Sequence, residues 1–377
     1  MAIIKKIVVG LLTLAVSACA LVLTAVLLLS LLLTPGSAEG GVQTPASNAA
    51  IMDRYDMYMT TRISSALEGV LDIEKVYWLR DEDQIAPEPD QSKFGSAQPS
   101  ELGWLLEDAA EILDGQETLF NTDLQLFRGG DAMYYLDETI FAVTWKQVLD
   151  ETVYTISEVK IAHPSQFRRF LAGGSYASGI QMMTTQMAES VNAVVASSGD
   201  FYAFRRFGVI VYEGKVQRAD TELVDTCYID DKGDLHFSYR GELNSIESAQ
   251  KFVDENNIRF SLAFGPVLVN DGQPTQYKGY ALGEVGQQYA RAALCQLGPL
   301  HYLLVTVNSE GIYKAPERLR VVQNRLVSFG VDKAYCLDGG QTAAIVMNDK
   351  LINRVVYGYQ RDISDIIYFA TAIPDGD

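Results

Sequence analysis

Histidine is scarce in this chain. His163, His236 and His301 are the only three among 377 residues, and they stand too far apart to read as a zinc site. Cysteine is nearly as rare. Cys19 sits inside an apolar run, and Cys227, Cys295 and Cys336 are odd in number and widely spaced, which sets no disulfide framework. One bridge is possible, but small buried hydrophobes on strands is the simpler reading. There is no Cys-x-x-Cys, nucleophile elbow, phosphate-binding glycine-rich loop or zinc-binding histidine pair on a helix. Positive charge is also short, with 30 Lys and Arg against 48 Asp and Glu and a net charge of −18. Such a surface repels phosphate backbones, so nucleic acid is excluded as an expected partner, and an anionic substrate would need a local basic pocket.

Ile7 to Leu33 contains no charged residue, and Lys5 and Lys6 precede it. Spanning a bilayer takes roughly 20 apolar residues, whereas the apolar stretch of a signal peptide is about 7 to 15. The run therefore predicts an uncleaved signal anchor. A cleaved signal peptide is the rival, with Gly36-Ser37-Ala38 as its processing point. The positive-inside rule then leaves residues 1–6 as a cytoplasmic tail, 7–33 as a single transmembrane span and the remainder outside the cell membrane.

Residues 34–100 read as a spacer, an amphipathic helix and an acidic linker. "PGSAEGGVQTPA" is flexible in composition, and Ile51, Tyr55, Ile63 and Val70 recur at helical spacing. The stretch from Arg80 to Ser100 carries three prolines with Asp81, Glu82, Asp83, Glu88 and Asp90, and reads as a linker or extended arm.

From 101 to 377 a single domain is expected. A helix over Glu101 to Leu113, capped by Ser100, gives way to short β-branched and aromatic runs separated by turns such as Glu213-Gly214, Lys232-Gly233 and Asp271-Gly272. Helices are predicted at Pro164 to Leu171, Gly179 to Glu189, Ser245 to Glu255 and Pro316 to Phe329. The irregular mixture argues α+β, a mixed β-sheet core with flanking helices.

Five patches follow apolar segments: "VVASSGDFYAFRRFG" (194–208), "FGPVLVNDGQ" (264–273), "YARAALCQ" (289–296), "CLDGGQTA" (336–343) and "YQRDISDIIYF" (359–369). Asp-Gly pairs between strands are usually plain turns, and arginines beside strands are usually surface charges. Asp338-Gly339-Gly340-Gln341-Thr342 uses more glycine than a hairpin needs, and glycine lets backbone approach a ligand closely.

In their order, these blocks resemble the phosphodiester glycosidase family, over roughly 153–372. Asp200, Arg291, Asp338, Gly339, Gly340 and Arg361 match its pattern, whereas Ser198 replaces the family's usual Asn, Gln341 stands where it has glycine, and Asn308-Ser309-Glu310 replaces an Asp-Gly-Arg. The resemblance implies a hydrolase of glycosyl phosphodiesters. Asp338 and Asp200 are then the catalytic candidates, since carboxylates can move protons or stabilise a cationic sugar. Arg291 and Arg361 are the phosphate-binding candidates, since a guanidinium grips two phosphate oxygens. Gly199, Gly339, Gly340, Gln341 and Thr342 form the substrate-binding loops.

The expected substrate is a glycosyl phosphodiester in a surface or secreted glycopolymer. No cofactor is expected, and the spacing identifies no divalent metal. A non-catalytic glycan-binding module of the same fold is the alternative, motivated by Gln341 and the missing Asp-Gly-Arg. A membrane-tethered scaffold is the third.

Overall fold

The β-branched and aromatic runs build four sheets among the described residues, and the two largest pack on each other. The computed structural model describes residues 85–120, 130–200, 202–277, 279–280, 283–308 and 317–373. The predicted tail, membrane anchor and amphipathic helix lie outside these residues, as do Pro316, Ser309 and Glu310. Among the described residues no helix is long and apolar enough to cross a membrane.

The larger sheet has nine strands. At its centre lie, in spatial order, Thr152–Ile161, His301–Asn308, Arg291–Gly298 and Lys333–Leu337. The second sheet has five, in the order Lys350–Leu351, Ile345–Met347, Val195–Ser198, Asp365–Phe369 and Phe167–Leu171. Between them, Val159, Leu294, Leu304 and Tyr335 meet Phe167, Val195, Ile345 and Phe369 in one apolar layer.

Helices close the outer faces. Leu105 and Ile112 from Gly103–Asp108 and Ala110–Leu113, and Leu319, Val322 and Leu326 from Leu319–Ser328, pack on the larger sheet. Met187 and Ala188 from Thr184–Ser190 pack on the smaller one. The result is α+β, in helix–sheet–sheet–helix layers.

Several expectations change. Every strand pair among the described residues is antiparallel, so the sheets are not mixed. Hairpins such as Arg291–Gly298 with His301–Asn308 supply neighbours without crossovers.

The helix predicted at Pro164 to Leu171 is a 3-10 turn, Pro164–Gln166, followed by the strand Phe167–Leu171. Phe167, Phe170 and Leu171 mimic helical spacing, yet both faces of this strand are buried, Arg168 and Arg169 included. The helix predicted over Gly179 to Glu189 shortens to Thr184–Ser190.

The predicted first helix is broken at Ala109, begins at Gly103 and has no side-chain cap, so Ser100 does not serve as one. The helix predicted from Ser245 runs Ile246–Glu255, with Ser245 as its cap, the hydroxyl accepting from Ser248 N–H at 3.1 Å. The acidic arm is packed from Ile85 onward, with Ile85 and Ala86 buried against the smaller sheet's outer layer. Phe94–Ala97 adds an edge strand to the larger sheet. The three described cysteines are free and buried.

One connection places the site. After Lys333–Leu337 the chain leaves the larger sheet, turns through Asp338 to Thr342, and enters the smaller sheet at Ile345–Met347. Asp338 to Thr342 therefore lie where the ends of the two sheets meet.

Candidate active site

Asp338 follows the last residue of a buried strand. The neighbouring ladder pairs Ala292 with Leu337, so Arg291 and Asp338 each lie one residue beyond that pair. Gly340 N–H donates to the carbonyl of Ala290 at 2.8 Å. A Cβ on Gly339 would stand 2.4 Å from that same oxygen, so the close approach of the two chains requires glycine. Gly340 has φ +67°, and a Cβ there would meet Tyr289 Oη at 2.4 Å. On the opposite side Asp338 N–H donates to Gly199 O at 3.4 Å, joining the turn to the end of Val195–Ser198.

The Asp338 carboxylate is buried but thinly partnered. Oδ1 accepts from Gly339 N–H at 2.9 Å, and Oδ2 lies 3.5 Å from Arg361 Nη2. Burial pushes its pKa up to about 6. The Thr342 hydroxyl, Arg361 and Arg205 each pull it back down.

Arg205 is the first arginine of "FRRFG", with its guanidinium over the Phe264 ring at 4.9 Å. Arg291 is buried at the start of its strand, donates to Gln287 O at 2.9 Å and stacks over Tyr289 at 5.4 Å. Arg361 is 42% exposed and stands over Phe204 at 5.5 Å. Burial raises the Cys336 thiol, two residues before Asp338, and Arg291 and Arg205 both oppose that rise. Three arginines thus gather around this one strand end in an acidic chain.

Gln341 turns away from the carboxylate. Its amide donates to Tyr359 O at 3.1 Å, tying the glycine turn to the following 3-10 turn, Val356–Gly358. The Thr342 hydroxyl donates to Gly339 O at 2.7 Å and holds the glycine turn closed.

Asp200 occupies a different environment. Its side chain is wholly buried and ion-paired to Arg169 at 3.0 Å, and the same guanidinium holds Asp365 at 2.9 Å. Asp200 Oδ1 accepts from Tyr202 N–H at 2.7 Å, and Oδ2 from Ala263 N–H at 2.8 Å. Arg169 also donates to Ser261 O. Burial raises the pKa of Asp365, with Asp200 adding to the rise and Arg169 opposing it.

Gly199 is needed here, because a Cβ would fall 2.1 Å from Asp365 Oδ2. This cluster fastens the Gly199 turn, and the Gly199 carbonyl in turn receives Asp338 N–H.

Asp338, Arg361, Gly199, Gly339, Gly340 and Thr342 are thereby brought together, with Arg291 at the adjoining strand end. Asp200 reaches the group through Gly199 backbone. Arg169, Arg205 and Asp365 carry no separate signal in the sequence, although "FRRF", "FRRFG" and "RDISD" contain them. Arg169 and Asp365 inside otherwise apolar strands were the available clue, whereas Arg205 lies in the loop before Gly208–Tyr212. Among the described residues, no three His, Cys, Asp or Glu side chains come together in a way that could hold a metal ion.

Comparison with known proteins bears on the same stretch. Residues 191–370 match the phosphodiester glycosidase family model. No curated protein matches the chain by sequence. Among solved structures, the catalytic domain of zebrafish N-acetylglucosamine-1-phosphodiester alpha-N-acetylglucosaminidase, auto-inhibited by its pro-peptide, aligns with a TM-score of 0.51 and 18% identity, over 69% of this chain and 92% of that one. At that identity the likeness is one of fold.

A hypothetical protein from Synechocystis aligns at TM-score 0.49 and 13% identity, covering 62% of each chain. A putative exported protein from Burkholderia pseudomallei K96243 aligns at 0.41 and 11%, over 58% of this chain and 74% of that one. The family match begins at residue 191, later than the 153 implied by the sequence blocks, and it contains Asp200, Arg291, Asp338 and Arg361. Residues 191–370 are thus similar to the phosphodiester glycosidase family, a family of hydrolases.

Proposed function

We propose that the chain is a membrane-anchored, extracytoplasmic hydrolase that cleaves a glycosyl phosphodiester, of the sugar-1-phosphate ester type, in a surface or secreted glycopolymer. The observation that carries this reading is a buried carboxylate with a pKa near 6, flanked by arginines at the meeting of two sheet ends. Asp338 is the group that transfers a proton at the anomeric centre, because a carboxyl titrating close to the working pH serves well as acid or base. Arg361 and Arg291 hold the phosphate, whose two free oxygens suit a planar guanidinium. Arg205 joins them.

Asp200 is assigned a supporting place in this reading. Its oxygens are already taken up by Arg169, Tyr202 N–H and Ala263 N–H. Gln341 supports the open form of the site, since its amide is engaged with Tyr359 O. The anchor is supported by the uncharged run from Ile7 to Leu33.

The test is release of sugar from the methyl phosphodiester of N-acetylglucosamine 1-phosphate, and from other sugar-1-phosphodiesters, by the full chain. Turnover that survives Asp338→Asn would falsify the role given to that residue. The absence of turnover on every diester, together with retention on glycan, would favour the non-catalytic module.

A further inference from the structure

Eight large apolar side chains stand exposed among the described residues, and four of them come from segments that meet at the Asp338 turn. Tyr357 is 79% exposed, Tyr359 64%, Phe204 44% and Tyr289 39%. Scattered exposed aromatics are ordinary, whereas a cluster at one place marks a binding surface.

Each ring is tied to the site. Phe204 lies under Arg361, and Tyr289 carries Arg291 on its face with its hydroxyl against Gly340. Tyr359 belongs to the residue whose carbonyl receives Gln341, and its ring centroid is 6.5 Å from that of Tyr357.

Tyr357 is held in an unfavourable conformation. Its backbone is left-handed, φ 65° and ψ −3°, in a turn closed by Gly358 N–H to Val355 O at 3.0 Å. A non-glycine residue in that region is sterically disfavoured, because its Cβ crowds the following carbonyl. The mostly exposed ring gives little burial in return. Buried Val355 at one end and Gln341 at the other hold the turn, with its two rings exposed.

We propose that Tyr357 and Tyr359 form a sugar-stacking platform next to the cleavage site, and that the substrate is an oligomeric or polymeric glycan extending beyond the sugar whose bond is cut. This rests on the hydrolase reading above. A pyranose has an apolar C–H face and a polar rim, and tyrosine presents an apolar face with a wet hydroxyl edge. Stacking also suits this chain's charge. At −18 the protein repels an anionic polymer at long range, so residues away from the arginines must grip it without relying on charge.

The test uses the full chain in detergent with two probes. One is a linear polysaccharide whose repeats are joined by sugar-1-phosphodiesters, and the other is the methyl phosphodiester of N-acetylglucosamine 1-phosphate. In affinity electrophoresis, Tyr357→Ala and Tyr359→Ala should each weaken retention of the polymer by about three- to tenfold. KM for the polymer should rise in step while kcat/KM on the small diester stays within about twofold. Tyr357→Trp should restore retention.

Unchanged retention in both alanine variants would overturn the platform, as would equal losses on both probes. Self-association lost in these variants without any change in polymer retention would assign the rings to a second copy and also overturn it. Retention that depends on Tyr357, in a wild-type protein that cleaves neither probe, would keep the platform and remove the hydrolase. Cleavage of the small diester with no retention of polymer would do the reverse.

Discussion

Two aspartate–arginine groups lie at the meeting of the sheets, built from the same residue types and set to different tasks. In the Arg169–Asp200–Asp365 cluster, one guanidinium contacts two carboxylates within 3.0 Å and both sides are buried. Backbone N–H groups complete the coordination of Asp200. Around Asp338 the nearest guanidinium is 3.5 Å away and 42% exposed, and one backbone N–H donates. A fully coordinated buried pair holds backbone in place, and removing one member leaves uncompensated charge. An incompletely coordinated buried carboxyl titrates at about 6 and can exchange its proton. Coordination, more than residue identity, separates the support from the reactive group.

The widest separation between the groups should appear in activity. Asp338→Asn is expected to lower kcat by about 10²- to 10⁴-fold, the range for loss of a positioned proton-transfer group, measured by sugar release from a phosphodiester. Residual activity close to wild type would erase the distinction drawn here.

Arg169→Met probes the other group. It leaves Asp200 and Asp365 buried without their cation, and about 3 to 5 kcal/mol of stability should be lost in urea unfolding. A loss under about 1 kcal/mol would show that the cluster does not hold the Gly199 turn.

The raised pKa of Asp338 gives a third contrast, with a defined sign. The folded state binds this proton more tightly than the unfolded chain, from 3.8 up to about 6. The stabilising contribution is complete below pH 3.8 and is lost as pH rises through about 6. At neutral pH the ionised group costs about 3 kcal/mol. Asp338→Asn should therefore raise stability at pH 8 by about 2 kcal/mol and leave it unchanged at pH 3.5, a gain in thermal midpoint opposite in direction to the loss of activity. An equal effect at both pH values would mean that burial of the charge is not its origin.

Arg361→Gln should have the smallest effect on folding, within about 0.5 kcal/mol, because the arginine is substantially exposed. Arg361 lowers the pKa of Asp338, so its removal should shift the Asp338-dependent limb of the pH–rate profile toward alkaline pH. An acid shift would contradict the contact.

Much of this contrast was legible in sequence only as position. Asp338 leaving a buried strand before two glycines, and Arg361 before "DISDIIYF", pointed to the site, because a glycine pair beyond turn requirements signals close approach. The near-identical appearance of Asp200 gave no sign of its surroundings. Its partner Arg169 lies in a segment with helical spacing of Phe167, Phe170 and Leu171, and a buried arginine becomes tolerable only once acids from distant strands meet it. The mixed sheet was likewise a fair inference from irregular alternation of elements. Strand direction depends on which segments become neighbours, which local pattern does not specify.

By itself, the sequence determined the α+β class, the strand-forming segments, the turns such as Glu213-Gly214, and the glycine-flanked aspartate. These follow from local backbone preference and from the period of apolar residues, which act within a few positions of the chain. Only the tertiary structure decided that Asp200 is saturated while Asp338 is not, and that Gln341 reaches across to Tyr359. Desolvation and coordination are set by atoms far apart in sequence, Ser261 and Ala263 around Arg169 and Asp200 and Arg361 beside Asp338, and come into being only when both sheets have packed.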